Sequence, residues 1–308
     1  MTALLLLPLL LPFALPALAR RALDRFAPVA ALWAVTVCAV VLAGCSLAAL
    51  GAFVLIGLLK LPLFAALGEL VRPLHTASDL VVLPAAATSV GVLAVCGWTL
   101  VRSALHQTRA FRAARTQAGR GPAAGDLCVV DSPRPDAYAL PGRPHRIVVT
   151  TAMLRSLDGR EREALFAHER AHNDGGHHYF LVAAELAAHC HPALRPVRET
   201  IRLAVERVAD EAAAARVGDR RLIARAIARA ALAVQSTPRE RPDFAPAATT
   251  GPVPQRVQAL LAAPRAPRTG RTIAALLLVC TVVSCGASAT GMADFHHRVE
   301  IAQGDETP

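Results

Sequence analysis

Aromatic residues make up only 4% of the 308-residue chain, and its seven cysteines never fall in a C-x-x-C pattern. There is no glycine-rich phosphate loop, no internal repeat and no convincing serine or cysteine nucleophile constellation. Each absence removes a class of function. Without the phosphate loop, a nucleotide cradle has no backbone to build it. The basic stretch Arg109, Arg112, Arg115 and Arg120 has neither interleaved aromatics nor a DNA-binding pattern, so no nucleic-acid partner is expected. It reads instead as a juxtamembrane stretch facing anionic headgroups. Cys38, Cys45, Cys96, Cys280 and Cys285 lie in apolar blocks, where cysteine acts as a small hydrophobe. Cys128 and Cys190 remain for the rest of the chain, which implies no disulfide framework and a reducing compartment.

Apolar residues are plentiful and unevenly spread. They make up 54% of the chain, the mean hydropathy is +0.41 and the formal charge is +10. The apolar blocks cover about residues 3–19, 29–59, 80–101 and 272–292. Each is long enough for one membrane helix, and the second is too short for two. The first block ends in Ala17-Leu18-Ala19, which hints at a signal-peptidase site. No basic region precedes it, however, and Arg20-Arg21 follow it, so a retained span is expected. Arg20, Arg21 and Arg25 follow the first block, Arg102 to Arg120 the third, and Arg265, Arg268 and Arg271 precede the fourth. The loop between the second and third blocks is near neutral, with Lys60 and Arg72 against Glu69 and Asp79. The tail carries Asp294, Glu300, Asp305 and Glu306 against Arg298. The positive-inside rule then puts both ends outside and the middle segment in the cytoplasm. The expected organisation is three transmembrane helices in 1–102, a cytoplasmic domain in 103–271, a fourth helix in 272–292 and a short outer tail in 293–308.

The middle segment mixes strands and helices. Residues 126–130, 136–140 and 146–150 read as short strands, the last rich in β-branched residues. A short helix from Thr151 to Leu157 and a turn at Asp158-Gly159 follow. The next helix carries Glu161 and Glu163 in its first turn, favourable at the positive end of its dipole, and ends at Asn173-Asp174-Gly175-Gly176. Residues 180–194 read as a buried or membrane-surface helix. Helices over about 196–217 and 221–234 come next, then a Pro-, Ala- and Thr-rich loop over 236–254.

His168-Glu169-Arg170-Ala171-His172 lies in the helix that starts near Arg160. H-E-x-x-H on a helix is the signature of a zinc metallopeptidase. Residues i and i+4 share a face, so both imidazoles reach one ion, while Glu169 can bond a water without binding the metal. Two imidazoles leave coordination positions open, as a catalytic zinc requires. A third ligand must come from elsewhere. The 196–217 helix offers Glu199, Glu206, Asp210 and Glu211. Glu206 and Asp210 are i, i+4, which suits one ligand and one partner for a ligand histidine. Spacing alone equally allows a solvated charged face shared with Arg202 and Arg207.

The runs Ala137-Tyr-Ala-Leu-Pro-Gly142, Ile147-Val-Val-Thr-Thr151, Leu165-Phe-Ala-His-Glu-Arg-Ala-His172 and Glu206-Arg-Val-Ala-Asp210 together resemble the membrane-bound zinc peptidases. These comprise the HtpX and CAAX-prenyl-protease group and the peptidase of the BlaR/MecR sensor transducers. The resemblance covers about residues 126–217 and, more weakly, 253–261. It implies a gluzincin-like α+β metallopeptidase domain with a small β-sheet, set in a mainly α-helical membrane protein. It implies one Zn2+ per chain held by His168, His172 and Glu206, Glu169 as general base, and Asp210 as partner of a ligand histidine. Tyr138, Ala139 and Leu140 would form an edge strand that aligns a protein or peptide substrate. The order of three spans, peptidase and fourth span is that of the transducer group. HtpX-like proteins place membrane hairpin helices between the histidines and the glutamate, for which this chain has little room. The large outer domain of the transducers has no counterpart after Met292, so sensing would fall to a separate sensor or regulator protein, or to the spans, or not take place at all.

The chain departs from these families at three places. Arg170 stands where an apolar residue is usual, and a buried guanidinium would need a partner or solvent. Gly175-Gly176 replaces a more basic stretch. Gln255-Arg256-Val257 with Leu260 resembles the end of an H-P-x-x-x-R-[IV]-x-x-L string in which Gly251 takes the histidine's place. Arg256 is placed to brace the site, and no transition-state stabiliser is assigned. His177, His178, His189 and His191 read as helix-end polar residues, because neighbouring positions on a helix point apart. His296-His297 read as surface residues of the tail. The reading from another functional class is a non-catalytic zinc-binding membrane scaffold or signalling relay.

Overall fold

Pro8, Pro12 and Pro16 lack the N–H groups that a continuous helix needs, and the first apolar block is broken accordingly. In the computed structural model, which describes residues 2–58, 79–120, 123–234, 252–262 and 270–304, α1 (Thr2–Leu10) passes through a 3₁₀ turn (Leu11–Ala14) into α2 (Leu15–Arg25). Two carbonyls of the broken stretch take side-chain donors. Ser46 Oγ donates to Pro8 O at 2.8 Å, and His191 Nε2 donates to Leu9 O at 3.1 Å. His191 Nδ1 accepts from Ala193 N at 3.2 Å, which requires its proton on Nε2. Irregular backbone is tolerated among membrane helices only when it is satisfied in this way.

Three long helices complete the apolar part: α3 (Pro28–Leu58), α4 (Asp79–Arg120) and the C-terminal α11 (Arg271–Gly304). Segments Leu4–Arg25, Pro28–Leu58, Leu83–Gly119 and Arg271–Asp294 are long and apolar enough to cross a membrane. The chain is thus a mainly helical, multi-pass membrane protein. The helices run past the expected spans. α4 continues unbroken for 42 residues to Arg120, so no break marks the expected boundary at 102. α11 continues to Gly304, so most of the expected outer tail is helix. Both extensions are rich in good helix formers, and a helix does not end where its apolar residues do. Lys60, Glu69, Arg72, Gly251, Arg265, Arg268, Asp305 and Glu306, with most of the 236–254 loop, lie outside the described residues.

The middle segment opens with a sheet of β1 (Ala123–Ala124), β2 (Leu127–Val130), β3 (Ala137–Leu140) and β4 (Arg146–Thr150), in the order β1-β2-β4-β3. β2 runs parallel to β4 and β3 antiparallel to it, with Ala139 opposite Ile147. β1 is a strand that the sequence reading missed. One face of the sheet packs Tyr138, Leu140 and Val148 against Ala114 and Ala118 in the last turns of α4, with Phe111 alongside. On the other face, Ala137 and Val149 meet Leu165 of α6 and Ala230 of α9.

α5 (Thr151–Ser156) is capped by Thr150, whose hydroxyl accepts from Met153 N. α6 (Gly159–Asp174) opens with a reciprocal capping box between Asp158 and Glu161. Glu161 is fully buried and also pairs with Arg225 at 3.1 Å and Arg229 at 2.8 Å, tying α6 to α9 (Arg220–Val234). α7 (His177–Cys190), a 3₁₀ turn (Pro192–Leu194) and α8 (Arg195–Val217) form a hairpin packed against α3. Its turn reaches the broken first block through His191, and Cys96 of α4 donates its thiol to Cys190 O at 3.7 Å. The short stretch between the histidines and Glu206 therefore does hold a hairpin set among the candidate spans. α10 (Val253–Leu261) closes over α8 and α9. All seven cysteines are free thiols.

Candidate metal centre

Helical spacing on α6 sets the first half of the site. His168 and His172 are both buried, and their Nε2 atoms face each other at 2.9 Å. α8 crosses α6 and supplies the rest. Glu206 Oε2 lies 3.5 Å from His168 Nε2, and Glu206 Oε1 lies 3.8 Å from His172 Nε2. The ligand atoms of these three residues all fall within 4.8 Å of one another. Donors at ~2.0–2.1 Å from a tetrahedral zinc lie about 3.3 Å apart, so the triangle has the right size for such an ion.

The four carboxylates of the 196–217 helix separate clearly. Glu199 is exposed and pairs with Arg198 at 3.2 Å, while Glu211 pairs with Arg220. Glu206 and Asp210 point inward. Asp210 Oδ1 lies 3.1 Å from His168 Nδ1, on the side of the ring away from the other donors, so a proton on Nδ1 leaves the Nε2 lone pair for a metal.

Arg256 of α10 has no exposed surface. Its Nη1 lies 3.0 Å from Glu206 Oε2, and its Nε and Nη2 donate to Asp210 at 2.9 and 2.6 Å. Glu169 is buried beside His168, within electrostatic reach of Arg256. The buried set thus carries three carboxylates, Glu169, Glu206 and Asp210, against one guanidinium. A divalent cation brings that sum to neutrality, and three donors of N, N and O type suit zinc.

Electrostatics follow from these contacts. Burial alone would raise both carboxyls, but the Arg256 guanidinium outweighs it and holds Glu206 and Asp210 down at about 2. Burial would lower His168, but hydrogen bonds to Asp210 and Glu206 carry it up to about 9. His172 is pushed down by burial, and so is His177, to about 4.

His177 was read from sequence as a helix-end residue, and it does open α7, but it is not a solvated one. It is buried, with Nδ1 2.8 Å from His172 Nδ1. Gly176, at φ +59, provides the left-handed turn that folds His177 back toward α6. The adjacent pair of glycines was the available signal. His191 is likewise buried, and His189 pairs with Glu185 at 3.2 Å. His178 stacks on exposed Tyr179 at 3.9 Å. Arg170 is not an unpaired buried charge. It makes two bonds to Asp126, at 2.6 and 2.8 Å, with both side chains 38% exposed.

Tyr138, Ala139 and Leu140 lie in β3 at the edge of the sheet, with β3 against α6. Thr150 N donates to Asp136 O, so residues 136, 138 and 140 bond toward β4. Alternation turns the N–H and C=O of Ala139 outward.

Residues 104–193 match the family model described as Peptidase family M48. The matched stretch contains β1–β4, the H-E-x-x-H helix and His177, and it ends before Glu206, Asp210 and Arg256. No curated protein and no solved structure matches the chain.

Proposed function

We propose that this chain, an M48 peptidase segment set among four candidate spans, is a membrane-embedded zinc endopeptidase of the gluzincin type. It would cleave peptide bonds in cytoplasmic or membrane-proximal proteins. The observation that carries the reading is the buried triangle of His168, His172 and Glu206 with Glu169 beside it. A zinc ion held there supplies Lewis acidity at the scissile carbonyl. Glu169 takes a proton from the attacking water and passes it to the leaving amine. Asp210 orients His168, and Arg256 fixes the carboxylates of Glu206 and Asp210. Ala139 is only 1% exposed, so its N–H and C=O, turned away from β4, would pair with the substrate backbone once the cover over this edge moves aside, while Tyr138 and Leu140 anchor the strand on α4.

Arginines at the ends of the first and third spans support a cytoplasmic site. Arg207, next to Glu206, donates to Leu23 O at 2.9 Å, which sets the metal centre beside that basic end of the first span. Such a site suits regulated proteolysis, with a separate sensor or regulator protein supplying the signal. The scaffold reading lost one of its supports when Arg170 proved to be paired.

The test uses the full chain purified in detergent and in inside-out vesicles. Wild type should bind one zinc and cleave casein or its own chain, and vesicles should cleave casein added outside them. Glu169→Gln should keep the zinc and lose roughly 10²–10⁴-fold in rate, and His172→Ala should lose the zinc. Equal cleavage by wild type and Glu169→Gln would overturn the mechanism. A zinc-loaded wild type that cleaves nothing would favour the scaffold.

A further inference from the structure

His168 has a carboxylate, Asp210, behind its Nδ1, whereas His172 has an imidazole there. One nitrogen of the 2.8 Å pair between His172 Nδ1 and His177 Nδ1 must donate and the other accept. His172 Nε2 faces His168 Nε2 at 2.9 Å and Glu206 Oε1 at 3.8 Å, so a metal ligand at that atom needs its lone pair free. The proton of neutral His172 is then on Nδ1, and His177 Nδ1 must accept it. We propose that His177 is a positioning residue, whose Nδ1 accepts from His172 Nδ1 and so aims His172 Nε2 at the metal.

A second observation points the same way. A Cβ on Gly175 would lie 2.5 Å from His177 Nε2 and 2.8 Å from its Cδ2. The Nε2–Cδ2 edge of the imidazole thus occupies the space beside Gly175 that the Cβ of any other residue would fill. Gly176, in the left-handed region, supplies the turn that delivers the ring there. The two glycines form a seat for this one side chain. The rings of His172 and His177 meet at 83° with centroids 4.9 Å apart, so His177 meets its neighbour edge-on, through its nitrogen. A neutral acceptor also leaves the buried charge balance unchanged: Glu169, Glu206 and Asp210 against Arg256 and a divalent ion already sum to zero. The proposal rests on the zinc reading above and adds a fourth histidine-borne contact to it, outside the ligand triangle.

The experiment is zinc competition against a chromophoric chelator, using the full chain in detergent. His177→Phe keeps a ring and drops the acceptor, and should weaken zinc binding about 10–100-fold. His177→Asn keeps an acceptor near the position of Nδ1 and should recover most of that loss. A Phe variant as tight as wild type, or an Asn variant as weak as the Phe variant, overturns the role. Should the Phe variant not fold, the histidine ¹⁵N spectrum of the zinc-loaded wild type decides. An unprotonated His177 Nδ1 supports the role and a protonated one overturns it. A wild type that takes up no zinc overturns the functional reading itself, whereas a zinc-binding wild type matched by His177→Phe overturns only this contact.

Discussion

Arg256 is buried between Glu206 and Asp210, and its removal would leave two carboxylates facing each other out of reach of water. Breaking a buried pair from one side costs roughly 3–5 kcal/mol, because the remaining charge is uncompensated. Arg256→Ala should therefore lower the unfolding free energy of the zinc-free chain by an amount of that order, seen as a lower urea midpoint, and zinc should restore part of it by taking over the charge of Glu206. Urea titration with and without zinc measures both, and an unchanged midpoint in the zinc-free variant would refute the bracing role. At this scale the sequence was readable where helical spacing decides the matter. His168, Glu169 and His172 follow from one string, and Glu206 with Asp210 share a face by their i, i+4 spacing. Spacing does not say whether such a face looks inward. That answer needed Arg198 and Arg220 to draw Glu199 and Glu211 to the surface and α10 to bring Arg256 in. His177 was not readable by any helical rule, since a turn separates it from α6 and only the geometry at Gly176 folds it back.

β3 forms the edge of the sheet with all four residues buried, and the substrate contact proposed for it belongs to its backbone rather than its side chains. Proline at position 139 would remove the outward N–H while leaving the ladder to β4 intact, the one placement that an edge strand tolerates. Ala139→Pro should raise KM for peptide substrates by roughly tenfold, the equivalent of one net hydrogen bond of about 1–1.5 kcal/mol, with zinc content unchanged. Steady-state kinetics against zinc analysis checks it, and an unaltered KM would remove β3 from substrate alignment. The edge position itself came from pairing order, which short β-branched runs do not disclose. β4 was evident from Ile147-Val148-Val149, but its place between β2 and β3 was not. The helices were legible in kind but not in number or extent: the first block is two helices, α1 and α2, and α10 was not read as a helix at all. Hydropathy reports what surrounds a helix, so it marked the end of the apolar run near Val101 and missed the further turns of α4 to Arg120. The hairpin of α7 and α8 was missed as a hairpin for the same reason, because Glu185, Arg198 and Arg202 interrupt its apolar character by pairing with one another.

For the whole molecule, the titrating groups of the metal centre predict a stability optimum. His172 and His177 are held below the ordinary 6.5 by burial, so the zinc-free fold loses stability as pH falls from 6.5, where the unfolded chain takes up protons first. Glu206 and Asp210, held at about 2, add a further loss as pH falls below 4.5. His168, raised to about 9, acts in the opposite sense: its contribution is full below 6.5 and disappears as pH rises through about 9. Thermal melts of the zinc-free chain should peak near pH 6.5. Zinc should flatten the alkaline side, because the ion replaces the His168 proton, and a melt rising steadily to pH 9 without zinc would contradict the contacts described. One feature spans all of these scales. α4 is a single helix of 42 residues, about 63 Å long, and a bilayer core occupies only ~30 Å of it. Its distal turns grip the underside of β3 through Tyr138 and Leu140, and Arg115 holds Pro141 O at 3.1 Å just past the strand. Past Pro84, near its start, α4 carries no further proline, and such a rod converts tilt into travel: leaning by about 5° in the bilayer, within the ~0–40° range that membrane helices adopt, carries a point some 30 Å beyond it by about 3 Å. A bilayer that sets the tilt of α4 would thereby set the position of the strand edge, which makes lipid thickness a variable to control in any assay of the candidate site.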